Sequence, residues 1–247
     1  MCTLEKRGNL FILTLTGDTK KDQEHRLSPT LISSIRAALA EAKSQAVNGS
    51  VLITQSQGKF FTNGFDLRHA QAVGAKSGSA EAAKAELVRM VDLFRGVVAD
   101  LLSLPMPTIA AVTGHAAAAG MILAMSHDYV MMTSSRGVMY MSELDIGMTL
   151  PDYFTALIRG KIGSAAARRE VLLRSAKVGA EAAVKMGIVD SAHDSAKEVV
   201  GTAMRMADEL GKRRWSGEAY AGLRKALYPE VCGLLGLKDS VVLHSKF

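Results

Sequence analysis

"TIAAVTGHAAAAGMILAMSHD", residues 108–128, decides how the rest of the chain reads. It opens as a short apolar strand rich in β-branched residues (108–114), turns at Gly114, and runs through small residues into an apolar helix (116–128). Strand, small-residue turn and helix in direct succession are the parts of an α/β layer. Small side chains at a helix mouth let a ligand approach the backbone, where free N–H groups and the helix dipole favour negative charge. Gly and Ala at such a turn serve tight helix–sheet packing equally well, so this stretch alone leaves both readings open.

A second stretch has the same form. "SVLITQSQGKFFTNGFDL" (50–67) is a strand followed by a glycine-punctuated turn at Asn63-Gly64. Upstream, "NLFILTLTG" (9–17) reads as another strand and "DTKKDQEH" (18–25) as a solvated loop. Ser28 as N-cap and Pro29 at the first helical position start a helix. "AVGAKSGSA" (72–80) is small and polar, which predicts a mobile loop. Leu87, Met90, Val91, Phe94, Val98 and Leu101 recur at helical spacing, giving a helix of about five turns that "LPMP" (104–107) stops. "YVMMTS" and "VMYMS" predict two strands around Arg136-Gly137. Beyond them the chain reads as mainly helical, with Ser164 as a cap and Val199, Ala203, Met206 and Leu210 on one amphipathic face.

Composition narrows the function classes. The 247 residues are 48% hydrophobic and 22% charged, close to a soluble globular average. Every apolar stretch is interrupted well short of the ~20 residues a bilayer span needs, so no membrane span is expected. The start has no apolar core of a secretory signal. Cys2 and Cys232 are the only cysteines, which argues against a disulfide scaffold or a metal framework and for a reducing compartment. The net charge of +6 favours an anionic partner. The longest basic run is only Lys212-Arg213-Arg214. No basic stripe is interleaved with aromatics, and aromatics are 5% of the chain, which argues against nucleic acid.

One acid stands out. In "MYMSELDIGMTLP" (139–151), Glu143 sits among Met, Leu, Ile, Tyr and Gly. A carboxylate among apolar neighbours acquires a raised pKa suited to proton transfer near neutral pH. An edge-strand residue pointing at water would give the same local sequence. Asp145 and Asp152 follow closely and read first as structural or surface acids; Asp66 reads as a loop-fixing acid, and His115 as a packed histidine.

Taken together, these segments resemble the crotonase (enoyl-CoA hydratase/isomerase) superfamily from about residue 10 to 192. "GKFFTNGFDL" is similar to the family's first oxyanion segment and "PTIAAVTGHAAAAGMILAMSHDYVMM" to its second. "MSELDIGMTLP" is similar to the catalytic segment, and "AEAAVKMGIVDSA" to the A-x-E-A-x-x-x-G-I-V segment that follows. Four loose motifs in the right order make a specific match, nearest to the plant-type Δ3,Δ2-enoyl-CoA isomerases.

The resemblance implies an α/β crotonase fold of repeated ββα units, with a core over 1–190 and a helical C-terminal region over 191–247 used for trimerisation. It implies backbone N–H donors at Asn63 and Ala119. It implies one catalytic acid, Glu143, because Ile122 occupies the position where hydratases carry a second glutamate. A single base fits isomerisation: a proton leaves C2 of a 3-enoyl-CoA, and the double bond moves to C2 as C4 is protonated. Dienoyl-CoA isomerisation and hydration are the rival reactions, and an acyl-CoA- or RNA-binding relative without catalysis is the rival class. Arg26, Lys59, Thr62, Gly64, Phe65, Asp66 and Gly120 are the implied contacts for substrate and its coenzyme A part. Arg213, Arg214, Arg224 or Lys225 are candidates for the ribose phosphate. No metal or redox cofactor is implied, since coenzyme A belongs to the substrate. A homotrimer or homohexamer is implied. The C-terminal Ser245-Lys246-Phe247 resembles a peroxisomal address, departing at its last residue; the import receptor is then a partner, with the cytosol as the alternative location.

Overall fold

The computed structural model describes residues 1–16 and 24–238. Most of the loop expected over 18–25 and all of the 245–247 tail lie outside the described residues. Ten strands form two sheets among the described residues. The larger contains β1 (Cys2–Arg7), β2 (Leu10–Leu15), β3 (Val51–Ser56), β5 (Thr108–Val112), β7 (Tyr129–Thr133) and β10 (Ser191–His193), in that order. The smaller contains β4 (Phe60–Thr62), β6 (His115–Ala117), β8 (Val138–Tyr140) and β9 (Val178–Gly179). Thus β3–β4, β5–β6 and β7–β8 are three units, each sending one strand to each sheet before a helix follows. This is the ββα repetition the resemblance implies.

From β2 to β10 the larger sheet is parallel and buried on both faces, so its strands read as nearly unbroken apolar runs. Alternation still sorts the side chains. Leu52, Ala110, Val112, Val130 and Met132 enter the main core, while Val51, Ile53, Ile109, Ala111 and Met131 face the other way. That second face is covered by α8 (Ala196–Lys212) through Val199, Ala203 and Ala207. The chain crosses residue 190 inside this sheet, since β10 forms its edge beside β7.

Several local expectations change. The segment 72–80 is not a loop: α2 runs Leu67–Ser77, Gly78 ends it at φ 65°, and Ser79 caps α3 (Ala80–Leu102). Small residues there serve packing, because a Cβ on Gly74 would come within 2.7 Å of that of Ala83. The helix expected over 116–128 is split into β6 and α4 (Ala119–Met125), since Ala116 and Ala117 are extended by pairing with β8. The N-terminal Cys2–Arg7 forms a hairpin strand on β2 that its charged, mostly exposed residues did not announce. Helix α1 (Pro29–Ser44) begins as expected, with the Ser28 hydroxyl accepting from Leu31 N.

The C-terminal helices α9 (Gly217–Leu227) and α10 (Pro229–Leu234) are anchored by one buried ion pair. Arg224, 2% exposed, donates to both oxygens of Asp128 at 2.6 Å and to the carbonyls of Leu104 (2.6 Å) and Met106 (2.5 Å). Asp128 also accepts from Thr108 N at 2.9 Å. Burial alone would raise the Asp128 pKa, but the charge and hydrogen bonds of Arg224 hold it below the usual carboxylate range. Arg224→Ala would strand a buried carboxylate, a change that costs about 3–5 kcal/mol. Urea denaturation should show that loss, and a drop below about 1 kcal/mol would mean the pair is not the anchor.

Candidate active site

The site is built where two turns meet. Strand β4 ends at Thr62, and Gly64 follows at φ 73°. Helix α4 begins at Ala119 after β6, and its first N–H groups have no intrahelical acceptor. Three glycines let these parts touch. A Cβ on Gly114 would collide with the carbonyl of Lys59, and one on Gly120 with that of Thr62. A Cβ on Gly64 would stand 3.0 Å from Ala117 O and 3.5 Å from Ala119 N. The packing reading of these small residues is therefore met, since each glycine admits a neighbouring backbone.

The N–H inventory corrects one expected donor. Asn63 N is committed to Glu24 O at 2.8 Å. Its neighbours are also engaged: Gly64 O accepts from Leu27 N (2.8 Å), and Asp66 N donates to Leu27 O (3.3 Å). In this turn the N–H groups of the positive-φ Gly64 and of Phe65 directly after it have no acceptor among the described residues. Ala119 N likewise has no acceptor among the described residues. Phe65 and Ala119 thus each offer a free N–H at the two turns, beside that of Gly64. The signal was the glycine, whose left-handed conformation redirects the peptide after it.

The preceding residue bears the strain. Ala118 lies at φ 51°, ψ −123°, held by a 2.8 Å bond from its N–H to Tyr140 O. A non-glycine residue there costs about 1–3 kcal/mol. The bond also draws in the end of β8, and Glu143 follows three residues later at the start of a 3-10 turn, Leu144–Ile146. Glu143 Oε2 is buried and has no hydrogen-bond partner among the described residues. Burial raises its pKa, opposed by weaker backbone interactions at Glu143 and Ser142. Leu144 and Ile146 beside it are more than half exposed, whereas Met141 is buried.

The other expected contacts divide by role. Thr62 is fully buried, and its hydroxyl donates to His25 O at 2.6 Å, so it holds the turn and does not face a ligand. Gly120 is buried against it. Asp66 caps α2 by accepting from His69 N at 3.1 Å, the loop-fixing role expected of it. The ring of Phe65 packs on Phe94 and Phe154. Arg26 pairs with Glu24 at 2.5 Å, and Lys59 is exposed over the Phe60 ring. Asp145 is exposed; Asp152 pairs with Arg95 at 3.0 Å. Arg224, buried on Asp128, is removed from the phosphate candidates, while Arg213 stacks over Trp215 and Lys225 donates to Lys238 O. Met90, Met121, Met125, Met139 and Met141 are core residues, each at most 2% exposed.

Residues 15–231 match the enoyl-CoA hydratase/isomerase family, and the chain belongs to it. Its fold is that of the crotonases. A Pseudomonas syringae enoyl-CoA hydratase/isomerase family protein superposes with a TM-score of 0.78 at 25% identity, covering 95% of both chains. A probable enoyl-CoA hydratase of Mycobacterium tuberculosis gives 0.78 at 21% identity, over 95% of this chain and 91% of that one. Among curated sequences, the chain is 58% identical to the peroxisomal enoyl-CoA delta isomerase 2 of Arabidopsis thaliana over 98% of each chain. It is 54% identical to enoyl-CoA delta isomerase 3 of the same plant over 96% of each.

Two stability measurements test this geometry. Ala118→Gly removes the positive-φ penalty at some cost in unfolded-chain entropy, and should stabilise the fold by about 1 kcal/mol; destabilisation would mean that the strained conformation is absent. A carboxyl whose folded pKa is raised gives its full stability below the unfolded value, here 4.5, and loses it as pH rises through the folded value. Glu143→Gln should therefore raise Tm at about pH 8, with the gain vanishing as pH falls toward about 4. A gain independent of pH would remove burial as the cause.

Proposed function

We propose that this chain is a Δ3,Δ2-enoyl-CoA isomerase acting in the β-oxidation of unsaturated fatty acids. The observation that carries the reading is a half-buried carboxylate with one unpartnered oxygen, Glu143, on a segment tied to the place where two turns with acceptor-free backbone N–H groups meet. A proton α to a thioester becomes removable when the enolate oxygen is stabilised as it forms. Phe65 N–H and Ala119 N–H are donors for that oxygen, and loss of one such donor elsewhere costs about 2.7–4 kcal/mol. Glu143 takes the proton from C2. The resulting dienolate shares its charge between C2 and C4, and the same carboxyl returns the proton at C4. A raised pKa suits a group that must be base and then acid in one turnover.

The absence of a second acid at residue 122 favours isomerisation over hydration. Ile122 is fully buried and can orient no water. Asp152, tied to Arg95, is unsuited to the extra proton transfer of a dienoyl isomerase. The names of the Arabidopsis relatives support the same reaction, and that of isomerase 2 supports a peroxisomal location. Assembly as a symmetric trimer or hexamer belongs to this reading.

Turnover of a 3-enoyl-CoA, followed by growth of the conjugated thioester absorbance, tests the proposal. Glu143→Gln should lower kcat by roughly 10²–10⁴-fold while the protein stays folded. For the wild type, kcat/KM should rise with pH through a value above 4.5 as Glu143 deprotonates. An equal rate in the variant would take Glu143 out of the mechanism, and consumption of 2-enoyl-CoA by water addition would make the protein a hydratase.

A further inference from the structure

A cavity of about 240 Å³ opens at the C-terminal end of α4, on the far side from the candidate active site. Met125, the last residue of α4, lines it, so the length of that helix, roughly 10 Å, separates it from Ala119. Its polar wall is made by Lys161, His127, Asp128, Asp190 and Tyr228. Lys161 is the last residue of α5 (Asp152–Lys161). The preceding Gly160 leaves room for the Tyr228 ring, since a Cβ there would stand 3.1 Å from it. The same ring carries the amine of Lys161, with Nζ 4.4 Å from the ring centroid.

This amine is held without an ion pair. Nζ donates to His127 O at 2.7 Å, which uses one of the three hydrogens an ammonium carries. No carboxylate pairs with it among the described residues. Asp128 has both oxygens on Arg224, and Asp190 accepts from Val130 N at 2.6 Å. Burial lowers the Lys161 pKa to about 8; the nearby Arg224 charge adds to the fall, while Asp128 and Asp190 oppose it. The two remaining titratable neighbours bring no charge: burial drops His127 to about 4 and raises Tyr228. A desolvated lysine near a second cation is a nucleophile close to neutral pH. The cavity in front of it has room for a small group.

We propose that Lys161 is an acylation site, which takes a short acyl group from a free thioester such as acetyl-CoA into the cavity beside Tyr228. The uncharged Nζ attacks the thioester carbonyl carbon, the C–S bond breaks, and the thiol leaves with the proton that the nitrogen gives up. The amide formed keeps one N–H for His127 O and cancels the charge over the Tyr228 ring. A thioester held at Ala119 is at the wrong end of α4 to be the donor, so the inference stands apart from the isomerase reading. Incubation of the full chain with acetyl-CoA from pH 7 to 10, with the label at each lysine read by mass spectrometry, tests it. The exposed Lys185 and Lys197 are the references. At pH 8 an amine with a pKa of about 8 is half uncharged, against ~0.4% for an ordinary lysine at ~10.4. Its lower basicity returns part of that advantage, so Lys161 should react at least about tenfold faster than either reference. Its rate should level off as pH passes about 8. A rate no higher than the references', or no label at Lys161, overturns the site. In urea, where the cavity is lost, the advantage should vanish. An advantage that persists there belongs to the local sequence and overturns the cavity as its cause.

Discussion

A side chain at residue 120 would collide with the carbonyl of Thr62. That contact brings the first turn of α4 against the end of β4, and the other features of the site follow from it. Gly114 permits the same approach one strand earlier, at Lys59. Gly64, turned to φ 73°, frees the next N–H and sets its own backbone close to Ala119 N. Tyr140 then pins Ala118 in a conformation that alanine adopts only under constraint, and the same strand end delivers Glu143. Strain, close packing and unpaired donors occur at one place because each makes the others feasible.

Two carboxylates in this protein, Asp128 nearly buried and Glu143 half-buried, receive opposite treatment. Asp128 is surrounded by donors, with both oxygens on Arg224 and the Thr108 N–H added, and its pKa is lowered despite burial. Glu143 has one buried oxygen without a partner, and its pKa is raised by burial. The first is a rivet that joins the C-terminal helices to the sheet and is most useful when permanently charged. The second is costly as an anion and is therefore able to change its charge. The distinction lies in donors within reach, not in depth.

How much of this was legible in the residues depended on how local the cause was. Ser28-Pro29 announces a helix because cap and φ restriction act within one turn, and β3 and β5 announce themselves because buried parallel strands need apolar residues on both faces. Glu143 and the two small-residue turns were visible for the same reason. The donor assignment was not. Asn63 and Phe65 flank one glycine, and which N–H is free depends on that glycine's rotation and on Glu24, distant in sequence from both. Ala116 and Ala117 have strong helix propensity, yet pairing with β8 makes them extended, so tertiary context overrides the local preference. The 72–80 segment misleads for a similar reason: its small residues fit the close contact of α2 with α3.

The cover on the second face of the larger sheet has a consequence for biosynthesis. Ile53, Ile109 and Met131 come from three strands made well before α8, whose Val199, Ala203 and Ala207 shield them. A chain emerging from the ribosome in order can pair those strands while one apolar side of the sheet still lacks its lid. Parallel strands with distant partners also close slowly. Until residue 212 has left the exit tunnel, the nascent protein carries a sticky, half-built surface of the kind that chaperones hold.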